Sequence, residues 1–298
     1  TMDSVNQTAL SWAQGATRTD SNVSGPQRKR VERELKILVA EDIPTNQKIA
    51  CEVIRMCGYS ADIAENGEQA VQMQCQNRYD LIFMDCQMPF MDGFEATRSI
   101  RKDEAASKCV RCTIIALTAG TTSSDRKAFF EAGMDGFLGK PFKVEDIRNV
   151  LSTHFGTDGL PECMERQSNS EREDQRIDSD GIDESAVNNI LHIQSQTGKS
   201  ILKEVYEGFC LQMDEKISEL NDDQKAVEPK FLQSVAHAVK SMSANLGAKG
   251  VKAIAGKIES DLKSGIEVDY ISARESIKVA YKDFTISFSE RYREQLDQ

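Results

Sequence analysis

Short apolar runs confine the first half of this chain to one kind of sheet. Ile37-Leu38-Val39-Ala40, Leu81-Ile82-Phe83-Met84, Ile114-Ile115-Ala116-Leu117 and Phe137-Leu138 are separated by helix-length amphipathic segments, with a further strand expected near Ile63. Strands without polar alternation must be covered on both faces, and strands that alternate with helices build a parallel sheet. Residues 35–155 are therefore expected to form an α/β flavodoxin-like domain, a doubly wound parallel five-stranded sheet flanked by five helices. Nothing after Asp183 reads as a strand. Helical periodicity runs over about 183–195, 199–220, 228–246, 249–264 and 270–296. Glu228-Pro229 suits a helix start, and Gly247 and Gly265 suit helix ends. An all-α helical bundle over 183–298 follows.

Two stretches lack the apolar content to pack. Residues 1–34 are polar, without a sustained period, and include the basic stretch Arg28-Lys29-Arg30, so a linker is expected there. The chain opens Thr-Met on this linker, which leads to the expectation that a further segment precedes it. Residues 156–182 include eight acids between Asp158 and Asp180 against Arg166, Arg172 and Arg176, an acidic flexible tether between the two domains.

Composition narrows the function classes. Lys+Arg number 37 against 48 Asp+Glu, a net charge of −11, so no basic surface stands ready for a phosphate backbone and nucleic acid is not an expected partner. No run of about 18 apolar residues and no basic-then-apolar leader occurs. This segment is expected to make no membrane contact and to lie in the cytoplasm, whether or not a full-length parent is membrane-anchored. The eight cysteines are expected to be reduced, buried thiols. Cys109 and Cys112 form a lone CxxC with no second pair, so zinc is not expected. Cys86 is expected to be a small buried-strand residue rather than a reactive thiol.

In an open parallel sheet, ligands sit beyond the carboxyl ends of the strands. The first strand ends in Glu41-Asp42, the third in Asp85, the fourth in Thr118-Ala119 and the fifth in Lys140-Pro141. Carboxylates gathered on one edge repel one another unless a cation joins them, and a hard divalent ion takes oxygen ligands. The pattern predicts Mg²⁺ held by Asp42 and Asp85, with Glu41 acting through water. A carboxylate neutralised in this way, beside a lysine and a hydroxyl, is equipped to attack a phosphoryl group. Acids after strands are often helix N-caps and Lys before Pro is common in loops, but the four positions together favour a site.

Val39-Ala40-Glu41-Asp42, Met84-Asp85-Cys86-Gln87-Met88-Pro89-Phe90-Met91-Asp92-Gly93, Ala116-Leu117-Thr118-Ala119 and Gly139-Lys140-Pro141-Phe142 resemble the receiver domain of two-component signalling. The resemblance runs from Lys36 to about His154. It implies Asp85 as phosphoacceptor, Glu41 and Asp42 as the acid pair, the Gln87 backbone carbonyl as a further metal ligand, Thr118 as switch hydroxyl, Phe137 as switch aromatic and Lys140 as phosphate-sensing cation. Ile43 stands where similar relatives often carry Asn, which bears on phosphoryl lifetime or partner fit rather than on acceptance.

Of the three histidines, His154 closes the first domain's last helix and suits its C-terminal dipole. His192 lies beside Leu191 and Ile193 and is expected to be partly buried or incidental. On the third helix of the bundle Leu232, Val235, Val239, Met242 and Leu246 form a core stripe. His237 lies roughly 200° from Val235 around the helix, so it is expected to face solvent, flanked by Lys240, Ser241 and Ala244. A neutral imidazole is a competent nucleophile, and the adjacent lysine balances phosphoryl charge. His237-Ala238-Val239-Lys240-Ser241-Met242-Ser243-Ala244-Asn245-Leu246-Gly247-Ala248 resembles the core of a histidine phosphotransfer domain. That resemblance implies His237 as the phosphorylated residue, Lys240 as its helper and Gly247 as a packing position. Ser241 replaces the family's usual Gly, and is expected to keep the site open yet slow docking.

A receiver, a tether and a phosphotransfer bundle together resemble the C-terminal part of a tripartite hybrid sensor histidine kinase. The order implies a phosphorelay: Asp85 takes a phosphoryl group from an upstream histidine kinase core and His237 passes it to a downstream response regulator. No Gly-rich nucleotide loop or ATP-binding kinase core is evident in these residues. Two other readings are a phosphorylation-gated binding module and a phosphate drain.

Overall fold

The computed structural model describes residues 35–118, 123–156, 181–221 and 228–297, with backbone alone for 123–125. The expected linker at 1–34 and nearly all of the expected tether at 156–182 lie outside the described residues, as do Ala119 and Cys163.

Five strands, β1 (Ile37–Ala40), β2 (Ala61–Ala64), β3 (Leu81–Asp85), β4 (Thr113–Thr118) and β5 (Gly136–Gly139), pair in parallel in the order β2-β1-β3-β4-β5. Every residue of β1 and β3 is buried, as strands covered on both faces require. β2 is an edge, which accounts for its weak apolar signal: Ile63 remains 39 % exposed. The helices between and after the strands are α1 (Pro44–Met56), α2 (Gly67–Asn77), α3 (Gly93–Ser107), α4 (Ser123–Ala132) and α5 (Val144–Phe155). Local chemistry starts them. Pro44 opens α1, Asn66 accepts from Gln69 N–H at 2.9 Å, and Asp92 accepts from Glu95 N–H at 2.7 Å, each suited to a helix N-terminus. The chain leaves β1 for one edge and returns to β3, so the order reverses between β1 and β3 and a crevice opens at their carboxyl ends.

The turn after β3 is held tightly. A Cβ on Gly93 would collide with the Asp85 carbonyl oxygen. A Cβ on Gly67 would collide with the Met91 carbonyl, which accepts from Gly67 N–H at 3.1 Å. Gly93→Ala should therefore lower stability by about 1–3 kcal/mol, read as a lower urea midpoint at unchanged m-value. A wild-type midpoint would mean that the turn yields freely.

The second half is helical: α6 (Glu184–Thr197), α7 (Ile201–Glu219), α8 (Pro229–Leu246), α9 (Lys249–Lys263), α10 (Tyr270–Arg291) and a short α11 (Arg293–Leu296). The single expected helix at 270–296 is interrupted at Tyr292, where the backbone turns to φ −110°, ψ 23° and the ring packs on Phe288 at 4.8 Å. Gly247 ends α8 at φ +78°, and its carbonyl accepts from Asp183 N–H at 2.7 Å, tying the start of α6 to the end of α8. Leu232, Val235, Val239, Met242 and Leu246 are all buried. Among the described residues no helix is long and apolar enough to cross a membrane.

The two halves are packed together. One apolar cluster runs from Val39, Val53, Phe142 and Ile147 beside the sheet into Val187, Val205, Phe209 and Val239 of the bundle, and α1 packs on α6, α7 and α8. Leu38, Ile82 and Phe129 anchor a separate cluster. Polar ties border the junction: Asn189 Nδ2 donates to the Phe142 carbonyl at 3.1 Å, Lys199 Nζ donates to Glu52 at 2.8 Å, and Lys48 pairs with Glu204.

The described cysteines form no disulfide. Cys57, Cys86 and Cys112 are buried as expected, whereas Cys75 is exposed and Cys51, Cys109 and Cys210 are partly buried.

Candidate functional site

The carboxyl ends of β1 and β3 bring three acids together. One oxygen from each of Glu41, Asp42 and Asp85 lies within 4.8 Å of the others. Lys140, carried past the end of β5, donates to Glu41 Oε2 and to Asp85 Oδ2, each at 2.5 Å. Glu41 Oε1 accepts from Asn46 Nδ2 at 2.8 Å, and Asp85 Oδ1 from Gln87 N–H at 3.2 Å. Burial, joined by the charges of Asp85 and Asp42, pushes the Glu41 carboxyl up to about 8 against the pull of Lys140. Burial and the Asp85 charge push Asp42 up to about 6. Burial works to lower the Lys140 ammonium, but the Asp85 and Glu41 charges outweigh it and hold it above the usual lysine range. Three hard-oxygen donors, Glu41 and Asp85 buried and Asp42 partly so, facing one ammonium form a donor set that fits a divalent cation.

Thr118 ends β4 beside this pocket, 8 % exposed, and its carbonyl accepts from Lys140 N–H at 2.7 Å. Phe137 on β5 is partly buried, with its ring 5.8 Å from Phe129 and the Arg126 guanidinium 5.0 Å above its face. Phe129 in turn stacks on Phe94 at 5.8 Å. This aromatic row links the acceptor side of the sheet to α4.

His237 lies on α8 off the core stripe, as the helical wheel indicates, but it does not face open solvent. Its side chain is 17 % exposed, because the first domain covers this face of α8. Nδ1 lies 3.1 Å from Glu259 Oε1. Lys240 Nζ donates to Glu259 Oε2 at 2.9 Å, and Lys263 Nζ to Oε1 at 2.6 Å. Burial works to raise the Glu259 carboxyl, but hydrogen bonds from His237, Lys263 and Lys240 prevail and hold it well below the usual range. In the tautomer that carries its proton on Nδ1, toward this carboxylate, the lone pair sits on Nε2. His154 and His192 are exposed on α5 and α6; His192 is not partly buried, because its own face of α6 is turned outward.

The two centres meet at one cavity of ≈ 130 Å³. Asp85, Cys86, Gln87, Phe94, Thr118 and Phe129 line it from one side, and His237, Lys240, Glu259 and Lys263 from the other. The Gln87 side chain reaches across. In the amide orientation that satisfies both of its ends, its nitrogen lies against His237 Nδ1, 3.2 Å from Nε2 and 3.0 Å from Glu259 Oε1, and its oxygen accepts from Lys263 Nζ at 2.9 Å. Glu259, Lys263 and the Gln87 side chain were not among the residues expected from sequence. For Glu259 a signal existed: it falls on the buried stripe of α9 with Val251, Ala255 and Ile258, and a buried charge calls for partners.

Comparison with known proteins places both halves. Residues 37–152 match the response regulator receiver domain, and residues 204–283 match the Hpt domain. Hybrid signal transduction histidine kinase K of Dictyostelium discoideum is 39% identical over 121 residues, 39% of this chain and 10% of that protein. Kinase B of the same organism is 43% identical over 120 residues, 38% of this chain and 6% of that protein. The chain thus spans a tenth or less of these curated relatives. Among solved structures, the receiver domain of a Pseudomonas aeruginosa sensor histidine kinase, with magnesium in its active-site cleft, is 39% identical at a TM-score of 0.38, covering 42% of this chain and 100% of that one. A co-crystal of a Saccharomyces cerevisiae histidine phosphotransfer protein with the receiver of its downstream response regulator gives 29% identity and a TM-score of 0.39, covering 43% of this chain and 94% of that one. This chain carries a response regulator receiver domain followed by an Hpt region.

Proposed function

We propose that the chain is a phosphorelay segment in which Asp85 accepts a phosphoryl group from an upstream phosphohistidine and passes it to His237. A downstream response regulator then receives it. The domains are assigned as receiver 35–155, tether 156–182 and phosphotransfer bundle 183–298. The observation that carries this reading is the shared cavity, with an acceptor carboxylate on one wall and an imidazole on the other.

In the first step an Asp85 oxygen attacks phosphorus. The new P–O bond forms as the donor's P–N bond breaks, and the donor imidazole departs neutral, with the electron pair of the broken bond on one nitrogen and its proton kept on the other. Lys140 balances charge on the transferring oxygens. Glu41, Asp42, Asp85 and the Gln87 backbone carbonyl are the groups that would hold Mg²⁺, which supplies further neutralisation of phosphoryl charge when bound. In the second step the His237 Nε2 lone pair attacks phosphorus, a P–N bond forms, the P–O bond breaks and Asp85 leaves as a carboxylate. The ring gains positive charge, which Glu259 stabilises through the Nδ1 proton. Lys240 and Lys263 meet the phosphoryl oxygens on the bundle side. Thr118 serves as the switch hydroxyl, and Phe137, packed on Phe129, follows it.

The test follows label from a phosphohistidine donor with Mg²⁺ in the wild type, Asp85→Ala and His237→Gln, using acid and base stability to separate the two phosphoamino acids. Label is expected on Asp85 first and on His237 only when Asp85 is intact. Label that stays on Asp85, or that reaches His237 at the wild-type rate in Asp85→Ala, overturns the relay.

A further inference from the structure

Three uncharged polar side chains are sealed into the junction between α1 and α8. Asn46 is 3 % exposed, Ser241 1 % and Asn245 6 %. Asn245 Nδ2 donates to Asn46 Oδ1 at 2.7 Å. Asn46 Nδ2 donates to Ser241 Oγ at 3.1 Å and to Glu41 Oε1 at 2.8 Å. Both ends of the Asn46 amide are thereby satisfied, and two of its three partners come from the bundle. We propose that Asn46, Ser241 and Asn245 form the lock by which this receiver recognises its own bundle and sets the register in which His237 meets Asp85. The proposal deepens the relay reading and rests on it for its functional meaning.

The physical argument is one of specificity. The surrounding apolar cluster favours contact without prescribing register, because apolar burial is non-directional. A buried amide is directional, and leaving it unpaired carries the full desolvation cost of its N–H and C=O groups. A bundle without a hydroxyl and an amide at these places would strand Asn46, so discrimination arises from the penalty on wrong partners. Spacing makes the lock a register device. His237, Ser241 and Asn245 follow at steps of four along one face of α8, so closing the lock fixes where the imidazole stands. A slip of one turn, about 5.4 Å, would break both bonds and carry His237 past the cavity. Ser241, which stands where a glycine is usual, is thereby a contact of the docked junction.

The test uses the full chain carrying Asn46→Ala, Ser241→Ala, Asn245→Ala, or Asn46→Ala with Asn245→Ala. Amide hydrogen exchange across α1 and α8 reads docking, and the rate at which label passes from Asp85 to His237 reads function. Loading of Asp85 by acetyl phosphate and of His237 by phosphoramidate serve as controls in the two bundle variants. Each bundle variant should speed exchange at the junction and slow transfer about tenfold while both loadings stay at wild-type rates. The double variant should be no worse than the poorer single, the signature of one shared interaction. Wild-type exchange in the single variants, or effects that multiply in the double, overturns the lock. Faster exchange in a chain that never passes label would retain the lock and remove the relay.

Discussion

Lys140→Met should lower the stability of the metal-free chain by about 3–5 kcal/mol at pH 8, and by much less at pH 5. Lys140 Nζ is shared between Glu41 and Asp85, with side chains that are 2 %, 1 % and 3 % exposed, so its removal leaves buried negative charge unopposed. The pH dependence follows from the acids. Glu41 and Asp42 are raised to about 8 and about 6 from ordinary values of 4.5 and 3.8. Groups raised on folding bind more protons in the native state. Their contribution is complete below the ordinary values and is lost as pH climbs through the raised ones. Metal-free wild type should accordingly lose thermal stability from about pH 5 to pH 8, and Mg²⁺ should restore more of it at pH 8 than at pH 5.5. In Lys140→Met the opposing pull of the ammonium is gone, so the same decline should steepen. Urea midpoints across pH, with and without Mg²⁺, measure all of this. A variant as stable as wild type at pH 8 without metal would show that the lysine does not hold the acid pocket together.

The acid pocket was legible in sequence because each of its members follows a strand. Uninterrupted burial wrote Ile37–Ala40 and Leu81–Met84 as apolar runs, and a chain that must end those strands on one edge must also gather Glu41, Asp42 and Asp85 there. β2 was faint because an edge strand does not need two apolar faces, and Ala61-Asp62-Ile63-Ala64 carries one charge and one half-exposed isoleucine. The bundle's core stripe was legible for the same reason as β1. What the helical wheel could not supply was the use of the opposite face of α8. Periodicity separates a helix's own core from everything else, and it does not distinguish solvent from a partner domain. Ser241 and Ala244 are 1 % and 3 % exposed because α8 is covered twice, by its bundle and by the receiver. Asn46 and the Gln87 side chain went unread because their partners on the bundle lie about 150 residues or more away, a separation at which local pattern carries no information. Glu259 differs from these. Its place on the apolar stripe of α9 was visible, and only the identity of its partners was not.

Glu259→Ala should slow transfer from Asp85 to His237 about 10²-fold, while Asp85 loads from acetyl phosphate at the wild-type rate. Glu259 accepts from three donors, His237 Nδ1 at 3.1 Å, Lys240 at 2.9 Å and Lys263 at 2.6 Å, so it both orients the imidazole and fixes the two lysines around the cavity. Once phosphorus bonds to Nε2 the ring is cationic, and a buried carboxylate on Nδ1 stabilises that charge. Glu259→Gln separates the two roles: its amide oxygen still accepts from Nδ1–H, but it brings no charge. The Gln variant should recover about tenfold of the loss, since each tenfold is about 1.4 kcal/mol of transition-state free energy. Loading of His237 by phosphoramidate should fall in parallel with transfer in both variants, because the defect lies in the imidazole and not in docking. Hydrogen exchange at the α1–α8 junction should stay at wild-type rates. This is the reverse of the pattern expected for Ser241→Ala and Asn245→Ala, where docking loosens and intrinsic reactivity is kept. If Glu259→Gln were as slow as Glu259→Ala, charge rather than orientation would be the whole contribution. If both passed label at the wild-type rate, the carboxylate would serve only to pair Lys240 and Lys263, and His237 would act unaided.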